Sequence, residues 1–129
     1  MVTFKVLHLF CGLGGGGQGF NAAEFEAAGL RGRYVNIGGI DCDPEAVEDF
    51  GYLTGVKGTV LDLFTREDWI TYHSTWTSTP EGWVCAKRVE PPPTWREATV
   101  EDIRAAAGGQ APDGVFLSPP CQGASQILP

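Results

Sequence analysis

The chain has 129 residues and carries nine Lys and Arg against sixteen Asp and Glu, a formal net charge of −7. Its length accommodates one domain with a modest core and excludes two, and no segment approaches the roughly 20 consecutive apolar residues that span a bilayer. The acidic balance argues against a chain that grips DNA unaided, because Lys and Arg that neutralise phosphates supply much of the affinity for nucleic acid.

Two strands and a helix are predicted near the N-terminus. Residues 4–10 are apolar and β-prone and end at glycines, as expected of a buried strand. Residues 12–19 hold six glycines in eight positions, which disfavours any regular element. Residues 20–28 contain good helix formers and precede Gly29, which suits a helix C-terminus. Residues 34–40 are apolar again and form the second predicted strand.

A second helix and a short third strand follow. The tripeptide Asp-Pro-Glu at residues 43–45 places an acidic residue at a helix cap and proline at the first helical position. A helix is therefore predicted from there to about Tyr52. Residues 60–61, Val-Leu, form or begin a third strand that leads into Asp62.

The second half of the chain is predicted to be irregular until a last helix and strand. Residues 65–98 contain four tryptophans and a triple proline and are interpreted as an insertion or flap, with hydrophobic anchoring as the expected role of the tryptophans. Thr99 and Asp102 have the spacing of a capping box, which predicts a short helix ending near residues 108–109. Residues 114–117 form the fourth predicted strand.

This alternation of strands and helices predicts an α/β fold. Strands joined through helices pair in parallel with right-handed crossovers, and ligands bind such sheets beyond the carboxyl ends of the strands. The glycines of residues 12–19, Asp41, Asp62 and Cys121 each follow a predicted strand. These groups are therefore expected to lie along one edge of the sheet.

The cysteines are scattered and indicate neither a zinc site nor a disulfide framework. No Cys-x-x-Cys pair occurs, and neither histidine clusters with the four positions, which are Cys11, Cys42, Cys85 and Cys121. The N-terminus has no signal-peptide pattern. Free thiols, no metal, no membrane and a cytoplasmic location are the expectations.

Two motifs flank this arrangement. Phe10-x-Gly12-x-Gly14-Gly15 follows the first predicted strand, and the run Pro-Pro-Cys-Gln at residues 119–122 follows the fourth. Together they resemble the cofactor and catalytic loops of the cytosine-5 DNA methyltransferases. The resemblance implies a partial Rossmann-like S-adenosylmethionine-dependent methyltransferase fold, with about four parallel strands and crossover helices in this chain.

The resemblance also implies a binding site for S-adenosylmethionine. The backbone of the glycine motif would approach the amino-acid end of the cofactor, and Phe10 would pack near the adenine. Asp41 would accept hydrogen bonds from the ribose hydroxyls, and Asp62 from the adenine amino group. The implied set of cofactor-binding residues is Phe10, Gly12, Gly14, Gly15, Asp41, Cys42, Asp62, Leu63 and Pro119. Many family members carry an acidic residue at the position of His8, which is interpreted here as a core or rim histidine.

By the same resemblance, Cys121 is the catalytic nucleophile. Addition of its thiolate to C6 of a flipped cytosine makes C5 nucleophilic enough to take a methyl group, and loss of the C5 proton then expels the thiol. Pro120 would orient the loop, while Gln122 and Ser125 would contact DNA near the flipped nucleotide.

The resemblance covers nearly all of this chain but about the first third of a family enzyme. No Glu-Asn-Val motif occurs in the sequence. Residues 1–129 are therefore expected to be the N-terminal part of a catalytic domain of the bacterial or phage restriction-modification kind. The target-recognition region would be absent, the outer side of the fourth strand unpaired, and the chain inactive alone. Double-stranded DNA would become a partner once that region, or a complementing C-terminal chain, is supplied.

Three alternatives remain open. The chain could be a non-catalytic module that binds S-adenosylmethionine or a partner, or it could belong to a tRNA cytosine-5 methyltransferase. Gly12-x-Gly14-x-x-Gly17 followed by Asp41 also fits a dinucleotide fingerprint, so an NAD enzyme is the third alternative. Taken singly, Asp41 and Asp62 are also compatible with a helix-capping residue and a turn residue.

Overall fold

The computed structural model describes residues 1–119. Within them the chain forms a five-stranded sheet, a separate two-stranded hairpin and four helices. The elements, in chain order, are β1 (Val2–Leu9), α1 (Gly15–Ala22), β2 (Glu24–Ala27), β3 (Leu30–Asp41), α2 (Pro44–Thr54), β4 (Gly58–Val60), α3 (Arg66–His73), β5 (Thr75–Thr79), β6 (Gly82–Lys87), α4 (Val100–Ala106) and β7 (Gly114–Leu117).

The large sheet is mixed, with β1 and the long strand β3 at its centre. Its order is β2-β3-β1-β7, and β4 lies beside β3. β1 is parallel to both β3 and β7, and the last residues of β3 are parallel to β4. β2 pairs with the first residues of β3 in the antiparallel sense. The prediction of an α/β fold is confirmed. β1, β3, β4 and β7 run parallel, and β2 makes the sheet mixed rather than parallel throughout.

The boundaries expected for the glycine loop, residues 12–19, and for the first helix, residues 20–28, are wrong, since only residues 12–14 are loop and only residues 20–22 of the expected helix are helical. Helix α1 begins inside the glycine tract and ends at Ala22. A Cβ added to Gly17 would lie 2.6 Å from the methyl carbon of Thr54, so glycine lets α1 pack closely against α2. The remainder of the predicted helix is β2, where the ring of Phe25 covers Gly32 and leaves no room for a Cβ there. Aromatic packing thus outweighs helix propensity.

Residues 65–98 are more ordered than the irregular insertion that the sequence suggested. α3 begins after Thr65, whose side chain accepts a hydrogen bond from the backbone of Asp68. β5 and β6 then form an antiparallel hairpin, with Gly82 in a positive-φ conformation at the turn. The stretch from residue 88 to residue 98 has no regular element.

The other two helices begin where their sequence signals predict. The Asp43 carboxylate accepts a hydrogen bond from the Glu45 backbone at the start of α2. Thr99 and Asp102 form a reciprocal capping box at the start of α4. None of the helices within residues 1–119 is long and apolar enough to cross a membrane.

The core lies between the central strands and the helices on the sheet. Ile40 on β3 and Phe50 on α2 are fully buried, and Leu7 on β1 is nearly so. By contrast, β7 is exposed along its whole length. Within the described part of the chain, β7 is the last strand of the sheet and no strand pairs with its outer edge.

Candidate functional site

The loops that follow β1, β3, β4 and β7 meet at the carboxyl edge of the sheet, where the sequence places its candidate ligand-binding groups. Parallel pairing brings these strand ends side by side although they are distant in sequence. Three backbone hydrogen bonds join the loops: Cys11 N to Ile40 O at 2.9 Å, Leu61 N to Asp41 O at 2.9 Å, and Ser118 N to Leu9 O at 3.2 Å. The edge is therefore one continuous surface.

Asp41 connects the glycine loop to the loop after β3. Its Oδ2 accepts a hydrogen bond from the Gly12 backbone at 2.9 Å, and its Oδ1 accepts one from the Asp43 backbone at 3.1 Å. A carboxylate offers about four acceptor positions, so both oxygens retain capacity for a further donor. Asp41 therefore holds the loop in place and still presents acceptors at the edge.

The glycines of the motif differ in their surroundings. A Cβ on Gly14 would lie 3.1 Å from the Phe50 Cα, so this glycine serves the close contact between α1 and α2. A Cβ on Gly12 or Gly15 would meet nothing within 4 Å. Gly12 in the loop and Gly15, the first residue of α1, thus face open space, and a ligand can approach the backbone at both positions.

Phe10 lies at the centre of the edge in a strained conformation. Its φ of 55° is unusual for a residue other than glycine. The ring is half-buried and lies 6.4 Å from the ring of Phe64, with Leu63 also half-buried in the same loop after β4. The Phe10–Phe64 ring pair therefore joins the loop after β1 to the loop after β4.

Asp62 is held by hydrogen bonds to both of its oxygens. Oδ1 accepts from the Phe64 backbone at 3.0 Å, and Oδ2 accepts from the Trp95 indole Nε1 at 2.9 Å. Sequence reasoning placed Asp62 at this edge but missed Trp95, which comes from the segment interpreted as an insertion. The sequence indicated only that a packed tryptophan usually needs an acceptor for its N–H, and it did not indicate which residue would supply that acceptor.

The two cysteines at this edge are held as thiols. Burial, followed by the nearby charge of Asp41, raises the pKa of Cys11 to about 11. Cys42 is exposed, but partial desolvation, together with the Asp41 and Asp62 carboxylates, also raises its pKa. Both groups are protonated near neutral pH and are poor nucleophiles. Among the described cysteines, Cys11, Cys42 and Cys85 are free of disulfides, as expected.

His8 lies beneath this edge in the core. It is 1% exposed, and its Nε2 lies 2.6 Å from Asn36 Oδ1. The Asn36 amide nitrogen donates to the Gly17 carbonyl and to Asn21 Oδ1, so Asn36 Oδ1 is the acceptor and His8 Nε2 carries the proton. The interpretation of His8 as a satisfied core histidine is confirmed.

The catalytic motif itself lies outside the described residues. Pro120, Cys121, Gln122 and Ser125 all follow Pro119, the last residue that the structure describes. Ser118 is bonded to the end of β1, so β7 brings the chain to the carboxyl edge immediately before the motif begins.

Two clefts lie away from this edge. One, of about 380 Å³, separates α3 from the β5–β6 hairpin and includes Arg66, Trp76 and Arg88. The other, of about 150 Å³, is lined mainly by aromatic and aliphatic groups beside β7, including Phe20 and Phe116. Within residues 1–119, no group of three or more His, Cys, Asp or Glu side chains is arranged to hold a metal ion.

Comparison with known proteins adds no assignment. No protein-family model, no curated protein and no solved structure matches the chain. The site and the motifs that flank it are therefore the features that indicate a function.

Proposed function

We propose that this chain is part of a DNA cytosine-5 methyltransferase and binds S-adenosylmethionine at the carboxyl edge of its sheet. The observation that carries the proposal is the junction of the glycine loop with Asp41 beside Asp62. Gly12 and Gly15 leave the loop backbone accessible there, and the two carboxylates supply acceptors for hydroxyl and amino groups. The residues present therefore fit a ligand that has an adenosine and an amino-acid end.

In the proposed reaction the cofactor and a cysteine have separate roles. S-adenosylmethionine would supply a methyl group on a sulfonium centre. Burial and the Asp41 carboxylate raise the pKa of the Cys11 thiol, which makes Cys11 a poor source of a thiolate. Because the Pro-Pro-Cys-Gln run at residues 119–122 resembles the catalytic loop of the family, we propose Cys121 as the nucleophile that adds to C6 of the cytosine. The C5–methyl bond would form as the bond between the methyl group and the sulfonium sulfur breaks, with the thioether as leaving group. Removal of the C5 proton by a base and expulsion of the Cys121 thiolate would then restore the C5–C6 double bond.

The net negative charge of the chain bears on how it would bind nucleic acid. Nine basic residues against sixteen acidic ones provide little attraction for a phosphate backbone. We therefore propose that DNA is held mainly by a basic region supplied by another segment or another chain. The same chemistry on tRNA is the alternative substrate, and competition between duplex DNA and tRNA in the trapping assay described below would separate the two.

Cofactor binding is the first test. Calorimetric titration of the 129-residue chain should show binding of S-adenosylmethionine and none of NADH. The variant Cys121→Ser should bind the cofactor with unchanged affinity, because the thiol acts on the base. Binding of NADH instead would replace the proposal with a dinucleotide enzyme.

Covalent trapping is the second test. DNA that contains 5-fluorocytosine retains the enzyme, because the C5 fluorine cannot leave as a proton does. The chain, supplied with the C-terminal part of a cytosine-5 methyltransferase, should form a stable adduct with such DNA when S-adenosylmethionine is present. Cys121→Ser should abolish the adduct, whereas Cys85→Ser, in the exposed hairpin, should not. Cofactor binding without any adduct would favour a non-catalytic binding module.

A further inference from the structure

Trp95 reaches the candidate site from a distant part of the chain. It lies 33 residues beyond Asp62, in the stretch between β6 and α4, and its indole N–H donates to Asp62 Oδ2 at 2.9 Å. None of the motifs that indicate a methyltransferase includes it. Its contact is made to the carboxylate that would meet the adenine amino group.

Several contacts hold the indole in place. The backbone N–H of Trp95 donates to the Pro92 carbonyl at 2.9 Å, which closes a turn directly before it. Pro91 is buried and the two prolines after it restrict the backbone, so the segment has little freedom. The Trp95 ring also contacts Trp69 on α3, with ring centroids 6.1 Å apart. The donor is therefore positioned before any ligand arrives.

The result is a carboxylate with a fixed orientation. Phe64 N holds Oδ1 and Trp95 Nε1 holds Oδ2, so the side chain cannot rotate without losing a hydrogen bond. Each oxygen keeps one acceptor position. An acceptor that is fixed in this way accepts a bond from an amino group and repels a carbonyl oxygen at the same place.

We infer that Trp95 is a positioning residue that holds Asp62 for recognition of the 6-amino group of adenine and so sets the specificity of the site for adenine over 6-oxopurines. The inference rests on the proposed function, because it assigns a new residue to the same cofactor site. Trp95 acts through Asp62 and does not itself need to contact the ligand.

The test compares two ligands on the same protein. S-adenosylhomocysteine and S-inosylhomocysteine differ at the purine 6-position, where the second has oxygen in place of the amino group. The wild-type chain should prefer S-adenosylhomocysteine by at least about tenfold, as expected for one hydrogen bond to a charged group. Trp95→Phe, which removes the N–H but keeps an aromatic ring, should reduce this preference to below about threefold.

Trp69→Phe is the matched control. It changes a neighbouring ring in the same cluster but leaves the hydrogen bond to Asp62, so the preference should stay at the wild-type value. Asp62→Asn, which introduces a donor beside the ligand, should abolish the preference. Because the ratio compares two ligands on one sample, a smaller folded fraction of any variant cancels out.

The outcomes separate the two proposals. A wild-type chain that binds neither ligand would overturn the proposed function and this inference with it. Binding of S-adenosylhomocysteine with an undiminished preference in Trp95→Phe would overturn the inference alone. Tighter binding of S-adenosylhomocysteine by Trp95→Phe would also overturn it, because the indole would then compete with the ligand for Asp62.

Discussion

The carboxyl edge of the sheet and the β5–β6 hairpin show two ways in which one chain builds local order. At the edge, hydrogen bonds join residues that are far apart in sequence, 29 positions for Gly12 and Asp41 and 33 for Asp62 and Trp95. The hairpin pairs only neighbouring residues, and its Trp76 and Trp83 are 41% and 66% exposed. The edge depends on pairing across the whole sheet, whereas the hairpin depends on local pairing and on a hydrogen bond from Trp76 Nε1 to the Thr71 carbonyl of the adjoining α3 at 2.8 Å.

This contrast predicts that the carboxyl edge of the sheet is more stable against local opening than the β5–β6 hairpin. Structure that rests on buried long-range contacts opens only with the rest of the fold, while exposed local structure opens at low cost. The expected role of tryptophans as flap anchors applies to Trp69 and Trp95, which are half-buried, and not to Trp76 or Trp83.

The largest expected change in the free energy of unfolding comes from a substitution in the core, and it can be compared directly with a substitution in the hairpin. Phe50→Ala should lower the free energy of unfolding by about 3–5 kcal/mol, because it removes a fully buried ring from between the sheet and α2. Trp83→Ala removes a larger but mostly exposed ring and should change it by less than about 0.5 kcal/mol. Urea unfolding followed by circular dichroism measures both. Similar losses for the two variants would contradict the contrast.

Two glycines of α1 sharpen the comparison within the edge itself. Gly17→Ala should destabilise the protein by about 1–3 kcal/mol, because its Cβ would meet Thr54 and Phe50 at 2.6 and 3.1 Å. Gly15→Ala faces open space and should leave stability within about 0.5 kcal/mol of wild type.

For ligand binding, in contrast to stability, we expect the larger effect at Gly15. Under the proposed function, Gly15→Ala should weaken S-adenosylmethionine binding by about tenfold, which corresponds to about 1.4 kcal/mol. Calorimetric titration provides the measurement. A Gly15→Ala variant with wild-type stability and wild-type affinity would show that the open side of the loop is not used.

The smallest expected effect concerns pH. Burial lowers the pKa of His8 below its ordinary value of 6.5, and the hydrogen bond to Asn36 offsets only part of this. The unfolded chain therefore binds a proton more readily than the folded chain. The contribution of His8 to the free energy of unfolding should be fully present above about pH 6.5. It should fall as the pH decreases below that value, with a slope of at most about 1.4 kcal/mol per pH unit.

The variant His8→Gln keeps an N–H donor for Asn36 and has no titratable ring. Urea unfolding at several pH values between about 7 and 5.5 should show a flatter profile than wild type. An unchanged profile would assign the pH dependence to other groups.

Much of the sheet and its edge could be predicted from the sequence. Apolar runs placed β1, β3 and β7, and parallel pairing then placed Asp41 and Asp62 at a common edge. These predictions depend on patterns within a single segment and on one general rule of topology. The assignment of the site to S-adenosylmethionine stays a proposal.

The errors came where a residue's partner is remote in sequence. The glycine tract became helix α1 because Thr54 and Phe50 on α2 fit against Gly17. Glu24–Ala27 became a strand because Phe25 packs against Phe4, Tyr34 and Gly32. Propensity over a short window contains no information about these contacts.

A local signal was available for the hairpin. Thr75–Thr79 is rich in β-branched residues and is followed at once by a turn with Gly82, a pattern typical of paired strands. The Trp95 hydrogen bond to Asp62, in contrast, could not be located from sequence, because nothing in the irregular stretch before α4 indicates its partner.

The hydrogen bond between Gly12 and Asp41 has a practical consequence for finding the natural ligand. The acceptor and donor come together only when β1 and β3 are paired, so the unfolded chain offers a ligand nothing comparable. Any compound that occupies the edge must then raise the melting temperature. At a free concentration one hundred times its Kd, the gain is about 2.7 kcal/mol. A thermal-shift screen of nucleosides and cofactors can therefore identify the ligand without an activity assay.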